Sequence, residues 1–175
     1  MNFYGRRFNL YFCLAATLAA GGCATGNKED KQPAQMRVHI ERAGQVAETG
    51  QTVPVLRGAP VDVNIATRPI LTEANLTSAT LLDTPGGFAV KVQFDETGTW
   101  ILEQYSSANP GKHFVVSGQW GKKPEDGRWL AAPLITRRIA NGVLSFTPDA
   151  SREEAVKFVK GLNLSAKKNQ KDLVK

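Results

Sequence analysis

Apolar and polar residues alternate along most of this chain, and the period of the alternation changes from two to a helical one at several points. Val38 and Ile40 alternate with Arg37, His39 and Glu41, which predicts a strand from Met36 with His39 on its wetted face. Val53–Leu56 predicts a short strand, placed at a sheet edge because Pro54 has no N–H to donate. Val61, Val63 and Ile65 alternate with Asp62 and Asn64, and Phe88, Val90, Val92 and Phe94 alternate with Lys91 and Gln93. Between them Thr72–Leu76 predicts one capped helical turn, Ala79–Leu82 an apolar stretch, and Pro85-Gly86-Gly87 a turn. Asp95 is placed to cap a helix carrying Trp100, Ile101 and Tyr105, which stops at Asn109-Pro110-Gly111. Phe114–Trp120 and Trp129–Pro133 predict two strands joined by the loop Lys122–Arg128. Leu134–Ala140 predicts a short helix ended by Asn141-Gly142, and Val143–Phe146 another strand. Ser151 and Glu154 form a capping box ahead of Ala155, Phe158, Val159 and Leu162 at helical spacing, with Gly161 as the helix stop. That face is expected to pack on the sheet against Phe88, Val90, Val92 or Phe94. Strands and helices without regular βαβ alternation predict an α+β domain, a single mixed or antiparallel sheet with helices packed on one face.

The first 35 residues follow a different logic. Arg6-Arg7 precede an apolar run, Leu10–Ala20, that is too short to span a bilayer and of the right length for an export signal. Ala20-Gly21-Gly22-Cys23 resembles a bacterial lipobox, which implies cleavage before Cys23 and acyl chains on that residue, attaching the protein to a membrane. Residues 1–22 are therefore expected to be a lipoprotein signal peptide and 23–35 a polar tether. Residues 36–165 are expected to be the folded body and 166–175 a basic, solvated tail. Ala24 stands where the inner-membrane retention signal of lipoprotein sorting resembles an aspartate, so the periplasmic side of the outer membrane is favoured over the inner. The two cysteines, Cys13 and Cys23, both precede the body, so its stability must come from packing and not from disulfides.

Composition changes the picture in one respect. The 175-residue chain is 42% hydrophobic and 22% charged with net charge +6, values that suit a folded domain and exclude a disordered chain. The positive charge sits at the ends, in Arg6, Arg7, Lys167, Lys168, Lys171 and Lys175. The body between them is nearly neutral, which argues against a nucleic-acid partner. Chemistry-bearing residues are sparse. His39 and His113 stand in no motif and read as surface residues, no serine lies in a nucleophile elbow, and adjacent pairs such as Asp95-Glu96 point apart. Neither a metal-ligand spacing nor a phosphate-cradling loop is present, so no cofactor, metal or catalytic residue is assigned. Trp120 and Trp129 bracket the 122–128 loop. They are candidate partner contacts at a hairpin tip, or else aromatic packing that holds the hairpin together; the second is preferred.

The stretch from Pro69 to Leu164 resembles the head subdomain of the first periplasmic domain of SecDF, the membrane-embedded accessory factor of Sec protein export. The similarity is carried by Leu71–Ala79, by Val92-Gln93-Phe94-Asp95 with Gly98 and Trp100, and by Asn109-Pro110-Gly111-Lys112 with Phe114-Val115-Val116. It continues through Ala132-Pro133-Leu134-Ile135, Ile139 and Asn141-Gly142, and Glu153-Glu154-Ala155 with Val159 and Leu162. These are turns and core positions, so the resemblance implies a fold and, through the family, contact with polypeptide without catalysis. The transmembrane helices that give SecDF its proton-driven motor have no counterpart in the body. The expected function is a lipid-anchored periplasmic binding domain whose partner is a polypeptide, a Sec component or another envelope protein. A structural envelope lipoprotein sharing only the fold is the alternative, and an enzyme a distant third.

Overall fold

Three antiparallel strand groups and two α-helices account for the ordered elements of this structure, a computed structural model that describes residues 32–42 and 50–172. Cys23, the expected signal peptide and most of the expected tether lie outside the described residues. Strand β1 (Gln35–Ile40) is central to a four-stranded sheet in the order β4-β1-β7-β8, with β4 at Leu71–Thr72, β7 at Phe114–Gln119 and β8 at Gly127–Ala131. It pairs with β7 along its whole length, from Gln35 opposite Gln119 to Ile40 opposite Phe114. Strands β5 (Leu76–Thr84), β6 (Gly87–Phe94) and β9 (Val143–Phe146) form a three-stranded sheet, and β2 (Gly50–Val55) with β3 (Val61–Ala66) forms a hairpin.

The α+β class and the antiparallel pairing are as the patterning predicts. The expected single sheet is divided into these three parts, joined at a bridge between Glu41 and Ile65 and at the corner where β4 leads into β5. Residues Glu73–Asn75 of that corner form a 3-10 turn in which the Thr72 hydroxyl accepts the Ala74 N–H. Alternation reports which residues face a core; it does not report which strands are neighbours.

Helix α1 (Glu96–Ala108) starts where predicted, with the Asp95 carboxylate accepting the Gly98 N–H at 2.6 Å. Its buried face is Gly98, Leu102 and Ser106, whereas Trp100 is 63% exposed. The predicted helix over 134–140 does not form. Leu134 bridges to His113, the Ile135 N–H donates to the Lys112 carbonyl at 2.8 Å, and the Ile139 N–H donates to the Ser106 hydroxyl. This segment satisfies its backbone on the end of β7 and on α1, so it gains nothing by coiling on itself.

Helix α2 (Arg152–Asp172) opens on the predicted capping box: the Ser151 hydroxyl accepts the Glu154 N–H and Glu154 accepts the Ser151 N–H. Phe158, Val159 and Leu162 are buried in the main core with Val90, Val92 and Phe94, and Ala155 is buried as well. The helix does not stop at Gly161. It runs eleven residues further, to 172, with Ser165 and Ala166 also buried. The beginning of the expected tail is thus a packed helix. Gly161 is needed for proximity: a Cβ there would stand 2.7 Å from the Ala34 Cβ and 2.9 Å from the Ala34 nitrogen and the Gln32 carbonyl oxygen. Ala34, expected to belong to the tether, is buried, and its carbonyl accepts the Ser165 hydroxyl at 2.7 Å.

Candidate functional site

Trp120 and Trp129 do not meet. Trp120, 6% exposed, packs edge-on to Phe158 with ring centroids 6.1 Å apart and carries the Arg128 guanidinium over its face at 4.9 Å. Arg128 in turn pairs with Glu154. Neighbouring residues of a strand point to opposite faces, so Trp129 lies on the other side of β8 from Arg128. There it covers the small second core of Val53, Val55, Val63, Ile65 and Val115. The two indoles pack on opposite faces of the sheet, Trp120 against Phe158 and Trp129 against the second core, and not together across the hairpin. The Glu154 carboxyl is partly buried, which works to raise its pKa. The Ser151 hydrogen bonds and Arg128 outweigh burial and hold it below the usual carboxylate range.

His39 is not a surface residue. It is 4% exposed, because the β2–β3 hairpin covers the face of β1 that the alternation marks as wet. Its Nδ1 donates to the Ala66 carbonyl at 2.8 Å, and its ring meets Trp129 edge-on at 5.3 Å. Burial lowers its pKa below 6.5, the Ala66 hydrogen bond opposes this, and the charge of Arg37 adds to the lowering. The neutral ring is therefore favoured in the fold, and the unfolded chain binds the proton more readily. The stability this preference contributes is complete above pH 6.5 and is lost as the pH falls from there through the lowered pKa. Thermal melts across this range should show His39→Gln, which keeps a donor for Ala66 without titrating, losing less stability on acidification than the parent. Equal losses would show that His39 does not set the acid limb.

His113 accompanies Glu41. The carboxylate accepts both the His113 backbone N–H at 2.8 Å and the ring Nδ1 at 2.6 Å. The pair fastens the start of β7 to the end of β1. Among the described residues no three His, Cys, Asp or Glu side chains gather to hold a metal ion, and no helix is long and apolar enough to cross a membrane.

The arrangement best suited to binding lies elsewhere, where the hairpin leans toward β9. A groove of about 540 Å³ runs between Val55, Leu56, Val61 and Val63 on one side and Ala131–Pro133, Ser145 and Phe146 on the other. Leu56 and Val61 stand at its lip, 46% and 53% exposed. Leu56 has φ +70°, the one positive φ outside glycine among the described residues. A branched side chain in that region is strained, and such strain collects at functional positions. Next to Leu56, Arg57 is fastened to Asp149: its backbone N–H donates to the carboxylate at 2.7 Å and its Nε lies 3.2 Å from it. Burial works to raise the Asp149 pKa; the Arg57 hydrogen bonds and the charges of Arg57 and Arg128 outweigh it, so the net shift is downward. Past Ser145 a second groove of about 530 Å³ continues along Pro133–Asn141 and Val143.

Strand β9 runs along both grooves and is the last strand of its sheet. Phe94 donates to the Gly142 carbonyl, and hydrogen-bonded pairs alternate in an antiparallel ladder. Leu144 and Phe146 therefore direct their backbone groups to β6, whereas Val143 and Ser145 direct theirs off the edge. The Val143 N–H is taken by the Asn141 side chain at 3.1 Å. The Ser145 N–H and C=O face the groove. Neither Leu56 nor Ser145 carries a sequence signal for this role. Gly58-Ala59-Pro60 marks a turn, but nothing in the chain announces a left-handed leucine ahead of it.

No family model matches the chain, and no curated protein matches it by sequence. Solved structures do. The antiparallel α+β fold is of the SecDF type. The structure of a membrane component, SecDF, that enhances protein export superposes with a TM-score of 0.54 at 20% identity, over 78% of this chain and 65% of that one. SecDF in its super-membrane-facing form superposes with a TM-score of 0.56 at 21% identity, over 78% of this chain and 20% of that one. The chain thus spans 65% of the first solved chain and 20% of the second.

Proposed function

We propose that the domain binds extended polypeptide, without catalysis, by adding it as a strand to the free edge of β9. The observation that carries the reading is the juxtaposition of an unpaired strand edge at Ser145 with an apolar groove lipped by the strained Leu56. Backbone pairing supplies affinity for any extended chain, and the groove selects apolar side chains on it. The fold's likeness to a protein that enhances export makes a secreted polypeptide in transit the partner of choice. The same reading gives Cys23 acyl chains that hold the domain on the periplasmic side of a membrane, the outer one by the sorting rule, with the leader removed.

A photoreactive residue at position 145 should crosslink unfolded polypeptide in cell envelopes, and the same residue at Gln170 should not. Leu56→Gly removes both the apolar lip and the backbone strain. It should reduce the crosslinking about tenfold, the equivalent of one lost apolar side-chain contact. The melting temperature should stay level or rise, since glycine tolerates this φ. Equal crosslinking from both positions, or none lost with Leu56→Gly, would reject the groove.

A further inference from the structure

The exposed side of α2 is a lysine face. Lys157, Lys160, Lys167, Lys168 and Lys171 are all exposed, and at 3.6 residues per turn they fall within an arc of about 100°. The half-buried Leu164 lies in the middle of that arc. Acidic residues are few nearby: Glu153 stands at the helix start, Glu125 lies 4.0 Å from Lys123, and Asp126 accepts the Lys123 N–H. A cleft beside the helix brings Lys122, Lys123 and Lys157 together with Gln32.

Gln32 gives this face its meaning. The chain crosses α2 at Gly161, pressed against Ala34 and Gln32, so the first described residue, Gln32, stands beside the lysine side of the domain. Cys23 lies nine residues before Gln32, a distance of roughly 30 Å at full extension and about 15–18 Å on average. A domain of this size is about 35 Å across. An anchor at Cys23 therefore holds the lysine face close to the bilayer.

We propose that the lysine face of α2 is a docking surface for anionic phospholipid headgroups, which fixes the domain's orientation on the membrane. This rests on the reading of Cys23 as the lipid anchor. The ammonium groups meet the headgroup phosphates, Leu164 adds apolar contact between them, and the short connection to Cys23 keeps the two surfaces together.

The test uses the full-length chain floated with vesicles of phosphatidylglycerol and phosphatidylcholine, or of phosphatidylcholine alone. Lys160, Lys167, Lys168 and Lys171 are changed together to Gln, while Lys157 is kept because it has a contact of its own. Each neutralised lysine should cost about fivefold in partition to the anionic vesicles, so the quadruple variant should lose at least about a hundredfold. Partition to the neutral vesicles should not change. Circular dichroism melts coincident with the parent's would confirm that the variant folds. The preference should also fade in high salt. A quadruple variant that retains the full anionic preference, or a parent that has none, overturns the proposal. So does a parent that ignores both vesicle types yet binds polyglutamate through these lysines, which would assign the face to an acidic protein. Mass spectrometry of Cys23 separates the two readings. Anionic preference with an unmodified Cys23 keeps the face and removes the anchor, whereas an acylated Cys23 without that preference does the reverse.

Discussion

Phe158→Ala is expected to destabilise the domain by about 3–5 kcal/mol, a large share of what a domain of this size possesses. The ring is 1% exposed and fills the space between α2 and β7, where Gly118 admits it. A Cβ at Gly118 would lie 2.7 Å from Phe158 Cε2 and 2.6 Å from Leu130 Cδ1. The backbone on that side is fixed by its ladder to β1 and β8, so the cavity left by the ring cannot collapse. The loss also reaches Trp120, whose indole stands edge-on to Phe158 and supports Arg128. Urea unfolding followed by tryptophan fluorescence measures the change. A midpoint within error of the parent's would mean that α2 does not close the main core.

Gly161→Ala should destabilise by about 1–3 kcal/mol, although helix propensity alone favours alanine by about 1 kcal/mol at an interior position. The sign is decided by what lies opposite. The added methyl would meet the Ala34 Cβ at 2.7 Å and two backbone atoms, the Ala34 nitrogen and the Gln32 oxygen, at 2.9 Å. Backbone cannot rotate away as a long side chain does. The segment 32–34 must lift from the helix, which exposes Ala34 and strains the hydrogen bond from the Ser165 hydroxyl to its carbonyl. Thermal melts read the stability, and amide exchange at the start of β1 reads the lifting. A stabilised variant with unchanged exchange would mean that the segment does not rest on α2.

Both helix starts were legible in the chain because capping is local chemistry: Asp95 and Ser151 satisfy N–H groups three residues away. The core face of α2 and the strands β3, β6, β7 and β9 were legible from periodicity, and so was the α+β class. The candidate site was hardly legible at all. Ser145 reads as an ordinary polar residue of a strand, and its unpaired edge follows only from β9 being last in its sheet.

What the sequence by itself determined is therefore the set of elements, their buried faces and the fold type that its scattered motif positions resemble. These depend on interactions between residues a few positions apart, or on the burial of one side of an element. The tertiary structure decided the rest. His39 looks wet until the hairpin covers β1, and Gly161 looks like a helix stop until Ala34 is seen against it. Leu134–Ala140 looks helical until β7 and α1 take its backbone hydrogen bonds. In each case the deciding partner is more than twenty residues away in the chain, and local pattern carries no record of which distant surface will arrive.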